Sequence, residues 1–205
     1  MMRSTGRAPE RWRAPAELGT GTAVLSRWPI ARHAALGLPE AELPSLSAVI
    51  ETPAGALRVF AVHLDADPAG SDLRVRQVTA LADALAEHRS DLLPPVVLGD
   101  FNAEPDSDEI RLMEGHKTRP PVPGQVLVDA WRFARDSGPG ATWDRANPYV
   151  AALPYPSARI DYVFVGLGPH RRSRIRNALR FGGSPVDGIW PSDHCGVAAD
   201  LTLEP

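Results

Sequence analysis

Short apolar runs, separated by Gly, Pro and charged residues, recur along the chain from residue 21 onward and predict strands. The predicted strands cover residues 22–26, 46–51, 56–64, 95–98, 160–165, 173–179 and 196–203. A different spacing follows residue 70, where four apolar residues fall on one helical face: Val75, Val78, Leu81 and Leu85. This pattern predicts a helix with Ser71 as N-cap that ends near residue 89. Because the second and third strands are joined by the short turn 53–55, we expect mixed rather than purely parallel sheets.

The remaining segments carry weaker patterns. Asp106 with Glu109 fits a capping box that opens a short helix through Met113. Another helical piece is predicted at 128–133, and a long irregular loop at 138–157. Residues 1–20 are rich in Arg, Pro, Ala and Gly without an apolar period, so we expect an irregular segment there and one domain over 21–205.

Composition narrows the class of protein. A net charge of −3 gives no overall field that favours nucleic acid or an anionic membrane. The lone cysteine, Cys195, excludes an internal disulfide framework and fits a reducing compartment. Its position beside His194 invites a nucleophile hypothesis, but we interpret it as a small buried residue that enters the last strand. Without a long apolar stretch or a secretory signal, we expect a cytoplasmic protein with no membrane span, and we expect a monomer.

Polar side chains with catalytic potential stand at the ends of predicted strands. The residues that end strands or follow them are His63, Asp100 and Asn102. The residues that begin strands or precede them are Asp161, Asp193 and His194. If the two groups of strands run antiparallel, all of these side chains converge on one edge of a sheet.

Such a set suits metal-assisted attack of water on a phosphate ester. Carboxylates are the ligands that Mg²⁺ prefers, and the cation neutralises the phosphate and polarises the water. Neutral or cationic donors stabilise the charge that builds on the phosphate oxygens. An imidazole held by a carboxylate is a better donor, so the pairing of His with Asp fits this chemistry.

The order of these motifs resembles the endonuclease/exonuclease/phosphatase superfamily, the deoxyribonuclease I-like fold. The segments that carry the resemblance are Thr22–Arg27, Val62-His63-Leu64, Gly99-Asp100-Phe101-Asn102, Arg159-Ile160-Asp161-Tyr162 and Ser192-Asp193-His194. The resemblance covers about residues 21–203. It implies an α/β (α+β) fold, a four-layer sandwich of two packed mixed β-sheets flanked by helices.

The resemblance also implies roles for the acidic and imidazole groups. Asp193 would hold a divalent cation directly or through water, with Asp100 as a further ligand; the cation would be Mg²⁺, with Mn²⁺ as an alternative. Asp100 would orient or deprotonate the attacking water. His194, held by Asp161, would stabilise the transition-state oxyanion or act as the base. The sequence leaves open whether Asp100 or His194 takes the proton.

Substrate contacts are implied in the same way. Asn102 and His63 would hydrogen-bond the phosphate. Thr142-Trp143-Asp144 resembles the substrate-side loop of the branch that includes 5′-tyrosyl-DNA phosphodiesterases, so Trp143 could stack on a base or aromatic leaving group. Trp143 could instead fold over the loop and cover the core. Arg27 is a second candidate for substrate binding.

The start of the chain departs from the family pattern. The family opens with a central strand that ends in Asn and is followed by a metal-binding Glu, and neither is visible before residue 21. Glu10 and Glu17 lie where no strand or helix is predicted, so we expect an N-terminally truncated version of the fold. Either the gene encodes a longer active protein, or the chain is weakened, inactive or completed by another polypeptide.

The sequence therefore predicts a divalent-metal-dependent hydrolase of phosphate esters, a phosphodiesterase or nuclease that uses metal-activated water. One alternative is a phosphatase that acts on a small molecule or a lipid headgroup. Another is a non-catalytic remnant that binds phosphate ligands.

Overall fold

The computed structural model describes residues 10–13, 21–87, 93–135, 138–167 and 172–204. Its strands are β1 (Glu10–Arg13), β2 (Ala23–Ser26), β3 (Ile30–Leu36), β4 (Ser45–Thr52), β5 (Gly55–His63), β6 (Val96–Asp100), β7 (Val126–Asp129), β8 (Asp161–Leu167), β9 (Arg172–Phe181) and β10 (Gly196–Glu204). Its helices are α1 (Ser71–Ala86), α2 (Asp108–Glu114) and α3 (Pro148–Ala151), with a 3₁₀ turn at Ala130–Phe133. Within this part of the chain no helix is long and apolar enough to cross a lipid bilayer.

A six-stranded mixed sheet forms the centre of the fold. Its strand order is β3-β4-β5-β6-β8-β7, in which β5 and β6 run parallel and the other neighbours run antiparallel. On one face, Phe60, Val97 and Phe164 pack against Val78 and Leu81 of α1. Full burial of each such side chain contributes about 1.5–3 kcal/mol, so this contact fixes α1 on the sheet.

The opposite face carries a second, smaller β layer of two antiparallel ribbons, β1–β2 and β9–β10. Val24 of β2 packs with Leu46 and Ile50 of β4. Ile175 of β9 packs with Val165 of β8. The architecture is thus mixed α/β with two packed β layers, as the sequence predicted.

Some predicted elements differ from the observed ones. β1 lies within the segment expected to be irregular, where backbone pairing with β2 forms a strand without an apolar period. Ile30–Leu36 was not predicted, because this edge strand exposes most of its side chains and lacks clear alternation. The piece predicted as helical at 128–133 begins as β7 and continues as the 3₁₀ turn. The predicted end of α1 near residue 89 lies outside the described residues, as does Glu17.

The predicted capping box is wrong. Ser107 is the N-cap of α2, and Glu109 turns inward to a buried ion pair with Arg74 of α1, with 3.0 Å between Nε and Oε1. Because both side chains are almost fully buried, each charge depends on the other for compensation. The pair joins α1 to α2, a long-range contact that no local spacing reveals.

Candidate active site

Three of the predicted site residues lie side by side because of strand register. His63 ends β5 and pairs with Asp100 at the end of β6. Asp100 in turn pairs with Asp161 at the start of β8. Neighbouring strands are about 4.8 Å apart, so these three side chains share one edge of the sheet.

Gly99 allows the close approach of β5 and β6 at this edge. Its φ of 140° lies in a region that favours glycine, and a Cβ there would overlap the carbonyl oxygen of Val62. No residue with a side chain fits this position without moving β5. The glycine therefore precedes Asp100 for a steric reason.

Asn102 sits in a left-handed turn directly after β6, with φ 47°. Asn tolerates this conformation better than most residues. Its N–H donates to Oδ1 of Asp100 (2.8 Å), and its Nδ2 donates to the carbonyl of Leu64 (3.0 Å). Asn102 thereby fixes the Asp100 carboxylate and ties it to the chain that leaves β5.

Asp161 and His194 form a hydrogen-bonded pair, with 2.8 Å between Oδ2 and Nδ1. Thr142 holds both partners. Its Oγ1 accepts from the N–H groups of Ile160 and Asp161, both at 3.1 Å, and its carbonyl accepts from the N–H of Cys195 at 2.7 Å. In the sequence Thr142 stands out only as part of the loop motif, and this positioning role was not predicted, because the residues it joins are distant in sequence.

Asn147 positions the turn that carries Asp193 and His194. Its Oδ1 caps α3 by accepting from the N–H of Tyr149 (3.0 Å), and its Nδ2 donates to the carbonyl of Ser192 (2.8 Å). The side chain is buried. Asn147 was not predicted; the Asn-Pro pair at 147–148 was the only available signal, and it indicates a turn rather than a contact with residue 192.

The cluster carries a surplus of negative charge. One ligand atom from each of Asp100, Asp161 and His194 lies within 4.8 Å of the others. Burial raises the pKa of Asp100 to about 6, and the charge of Asp161 adds to that rise. Burial by itself would lower the pKa of His194, but the hydrogen bond and charge of Asp161 raise it above its ordinary value.

This donor set fits a divalent cation. Carboxylate oxygens suit Mg²⁺ and Mn²⁺, and a cation would offset the charge of two largely buried carboxylates. Asp161 already uses Oδ2 for His194, so Asp100 is the carboxylate of the cluster best suited to hold the ion. Asp193 lines the same cleft but is exposed and lies outside the three-residue cluster.

The cluster opens into a cleft of about 760 Å³. His63, Asn102 and Trp143 line the cleft together with two members of the cluster, Asp100 and His194. Trp143 is half-buried, and its ring centroid is 6.2 Å from that of Tyr155. The structure therefore places Trp143 beside the candidate reaction centre rather than wholly over the core.

Arg27 lies elsewhere. It follows β2, close to Pro29, whose carbonyl accepts from the N–H of Glu51 at 3.0 Å. Glu51 pairs with Ala56 at the start of β5, whereas the cleft lies at the other end of that strand, at His63. The structure thus separates Arg27 from the site. The sequence motif did not reveal this, because it does not show at which end of the sandwich Arg27 lies.

Cys195 is buried directly after His194, and burial raises the pKa of its thiol. A nucleophilic cysteine needs a lowered pKa, so this environment does not activate it. The interpretation as a small buried residue agrees with the structure.

Comparison with known proteins gives one family and a consistent fold. The sequence profile described as the Endonuclease/Exonuclease/phosphatase family matches residues 5–194. No curated protein matches the chain.

Three solved structures illustrate the likeness in fold. TDP2 from D. rerio, in complex with a single-stranded DNA product, has a TM-score of 0.78 at 19% identity, over 95% of this chain and 77% of that one. A conserved protein of unknown function from Enterococcus faecalis has a TM-score of 0.63 at 22% identity, over 89% and 71%. The human Nocturnin catalytic domain with bound sulfate has a TM-score of 0.60 at 19% identity, over 88% and 62%.

Proposed function

The chain belongs to the endonuclease/exonuclease/phosphatase family, and on that basis we propose that it is a divalent-metal-dependent phosphodiesterase. The observation that carries the proposal is the hydrogen-bonded Asp161–His194 pair beside Asp100, with Asp100 and His194 in the lining of an open cleft. A structural core gains nothing from two largely buried carboxylates within 4.8 Å of each other, since their repulsion is unfavourable.

Asp100 and Asp193 are the residues that would hold the cation. When bound, Mg²⁺ or Mn²⁺ would neutralise the phosphate and make a water molecule more acidic. Asp100 also has a second task in this proposal. Its carboxylate, fixed by the N–H of Asn102, orients the attacking water toward the phosphorus.

His194 is the group that takes the proton from that water. Because Nδ1 is bonded to Asp161, the remaining nitrogen, Nε2, is the one that accepts. Asp161 stabilises the imidazolium that results, in the way a carboxylate supports a histidine base in hydrolytic triads. Proton uptake by Asp100 instead of His194 is the competing assignment.

His63 and the amide of Asn102 would donate hydrogen bonds to the phosphate oxygens. Asn102 Nδ2 has two N–H groups, and the bond to Leu64 uses one of them. Nε2 of His63 lies 3.7 Å from Oδ2 of Asp100, so the ring faces the reaction centre. Donors fixed before the reaction stabilise developing charge at little reorganisation cost.

Trp143 would bind the organic part of the ester by stacking. Stacking on an aromatic side chain contributes about 1–3 kcal/mol per base in nucleic-acid complexes. The D. rerio TDP2 structure, which this chain resembles in fold, contains a single-stranded DNA product. Nuclease activity is therefore a second activity to test for this chain.

The test uses purified protein and bis(4-nitrophenyl) phosphate, assayed with Mg²⁺, with Mn²⁺ and with chelator. We expect turnover only with a cation. Asp100→Ala and His194→Ala should each lower kcat on the order of 10²–10⁴-fold, the usual range for a lost acid–base group. Asp83→Ala, on the exposed surface of α1, is the matched control and should leave the rate unchanged.

Absence of turnover in every condition would favour a non-catalytic phosphate-binding protein. Turnover that survives both active-site substitutions would remove these residues from the mechanism.

A further inference from the structure

The cleft has an apolar wall on one part of its lining. Trp143, Leu153 and Tyr155 form this wall, and Leu153 and Tyr155 are 44% and 45% exposed. Exposed large apolar side chains beside a reaction centre are typical of a binding surface. The wall suits a flat, apolar group attached to the phosphate.

Arg145 holds this wall in shape. Its Nη1 donates to the carbonyls of Leu153 (3.0 Å) and Tyr155 (3.1 Å), and its Nη2 donates to that of Ala151 (3.2 Å). One guanidinium thus joins three backbone carbonyls of the segment that presents the wall. The wall is preformed, which lowers the entropy cost of binding a ligand.

Another part of the lining is acidic. Glu104 and Asp106, which we call the acidic lip, are both exposed in the cleft. Among the described lining residues, Arg74 is the only Lys or Arg side chain. Its Nε is bonded to the buried Glu109, and its Nη1 donates to the carbonyl of Asp67 (2.6 Å), so it is already occupied.

This distribution of charge opposes a long nucleic-acid strand. Proteins bind nucleic acid mainly by neutralising successive phosphates with Lys and Arg. Here a cation at Asp100 would neutralise one phosphate, whereas any further phosphate in the cleft would face the exposed carboxylates of the acidic lip, with no unoccupied Lys or Arg among the described lining residues. The cleft volume of about 760 Å³ lies within the range of about 300–1,000 Å³ typical of small-molecule sites.

We propose that the natural substrate is a small phosphate ester with one phosphate and a flat, apolar group on the Trp143–Tyr155 wall, and that Glu104 and Asp106 exclude nucleic-acid strands. This inference rests on the proposed function, because it names the substrate class of the same site.

The experiment compares two substrates with the same leaving group at fixed Mg²⁺: the 4-nitrophenyl ester of thymidine 5′-phosphate, and an oligothymidylate (the strand) whose 5′-phosphate carries the same 4-nitrophenyl ester. We expect kcat/KM to be at least about tenfold higher for the ester, because like charges oppose the strand. Added KCl should raise the rate on the strand, because salt screens repulsion. If the protein instead bound successive phosphates through Lys and Arg, added KCl would lower the rate on the strand.

Two sets of variants test the two parts of the cleft. Glu104→Gln/Asp106→Asn should raise the strand-to-ester ratio of kcat/KM about fivefold or more and flatten its salt dependence, since like-charge repulsion is removed. Asp83→Asn/Glu87→Gln changes the net charge equally near the far end of α1 and should leave that ratio unchanged. Tyr155→Ser should raise KM for the nitrophenyl ester about tenfold by removing a stacking surface.

Titration calorimetry on the His194→Ala protein in Mg²⁺ compares the binding of the ester with that of the strand, without turnover. If the unaltered protein turns over no ester but the ester still binds more tightly than the strand, the proposed function fails, and of the inference only the ligand preference of the cleft remains. Tighter binding of oligothymidylate, with affinity that falls as KCl rises, would overturn the inference and leave a phosphodiesterase that acts on nucleic acid.

Discussion

Asp161 and His194, 33 positions apart in the sequence, meet at 2.8 Å between Oδ2 and Nδ1. Both side chains are mostly buried, and both belong to segments that Thr142 holds. The pair fixes which ring nitrogen faces Asp161 and therefore which one is left for the reaction. Substitutions of Asp161, Gly99 and Thr142 test what each residue contributes to this arrangement.

Replacement of Asp161 by Asn should remove most of the activity. An amide does not carry the charge that stabilises the imidazolium, and it can hold the ring in the wrong tautomer. We expect kcat on bis(4-nitrophenyl) phosphate to fall on the order of 10²–10⁴-fold, with an unchanged circular dichroism spectrum. A rate within twofold of the unaltered protein would show that the pair has no part in the reaction.

The same substitution should lower the pKa of His194. Burial lowers this pKa, and Asp161 is the strongest of the groups that raise it above its ordinary value. Without the carboxylate, His194 should lose its proton at a lower pH than in the unaltered protein. An NMR titration of the imidazole in metal-free protein measures the shift. A pKa that rises or stays in place would contradict the assigned cause.

Gly99→Ala should destabilise the protein and displace Asp100. The added methyl group would overlap the carbonyl oxygen of Val62, and the φ of 140° is strained for alanine. We expect a loss of about 3 kcal/mol in the free energy of unfolding, from strain and overpacking together. Urea denaturation measures it. Gly37→Ala is the control, because its added Cβ would meet no atom within 4 Å.

Thr142→Val tests the role of the hydroxyl group of this residue, because valine keeps nearly the same shape without it. Valine leaves the N–H groups of Ile160 and Asp161 without their acceptor in a buried position. An unsatisfied buried donor costs about 1–3 kcal/mol, so the midpoint of urea unfolding should fall. Thr142→Ser keeps the oxygen and should recover most of the loss. Equal stability of the Val and Ser variants would show that the hydroxyl does not matter.

Much of the large sheet could be predicted, because its central strands are continuous apolar runs. The turn at Asp100 could also be predicted locally, because a Gly and an Asn next to an apolar run indicate a tight turn after a strand. Edge strand β3 could not be predicted in this way, because its exposed side chains give no alternation. Glu109 was misassigned because a capping box and a buried ion pair use the same residue type.

By itself, the sequence determined which residues with acidic, amide and imidazole groups stand at strand ends, because strand and turn signals depend on neighbours a few positions away. Only the tertiary structure decided which of them meet. Strand register set Asp100 beside Asp161, and the hydrogen bonds of Thr142 and Asn147 brought His194 to the same edge. The packing of β2 on β4 left Arg27 at the opposite end. These outcomes depend on contacts between distant segments, whose energies are absent from any local pattern.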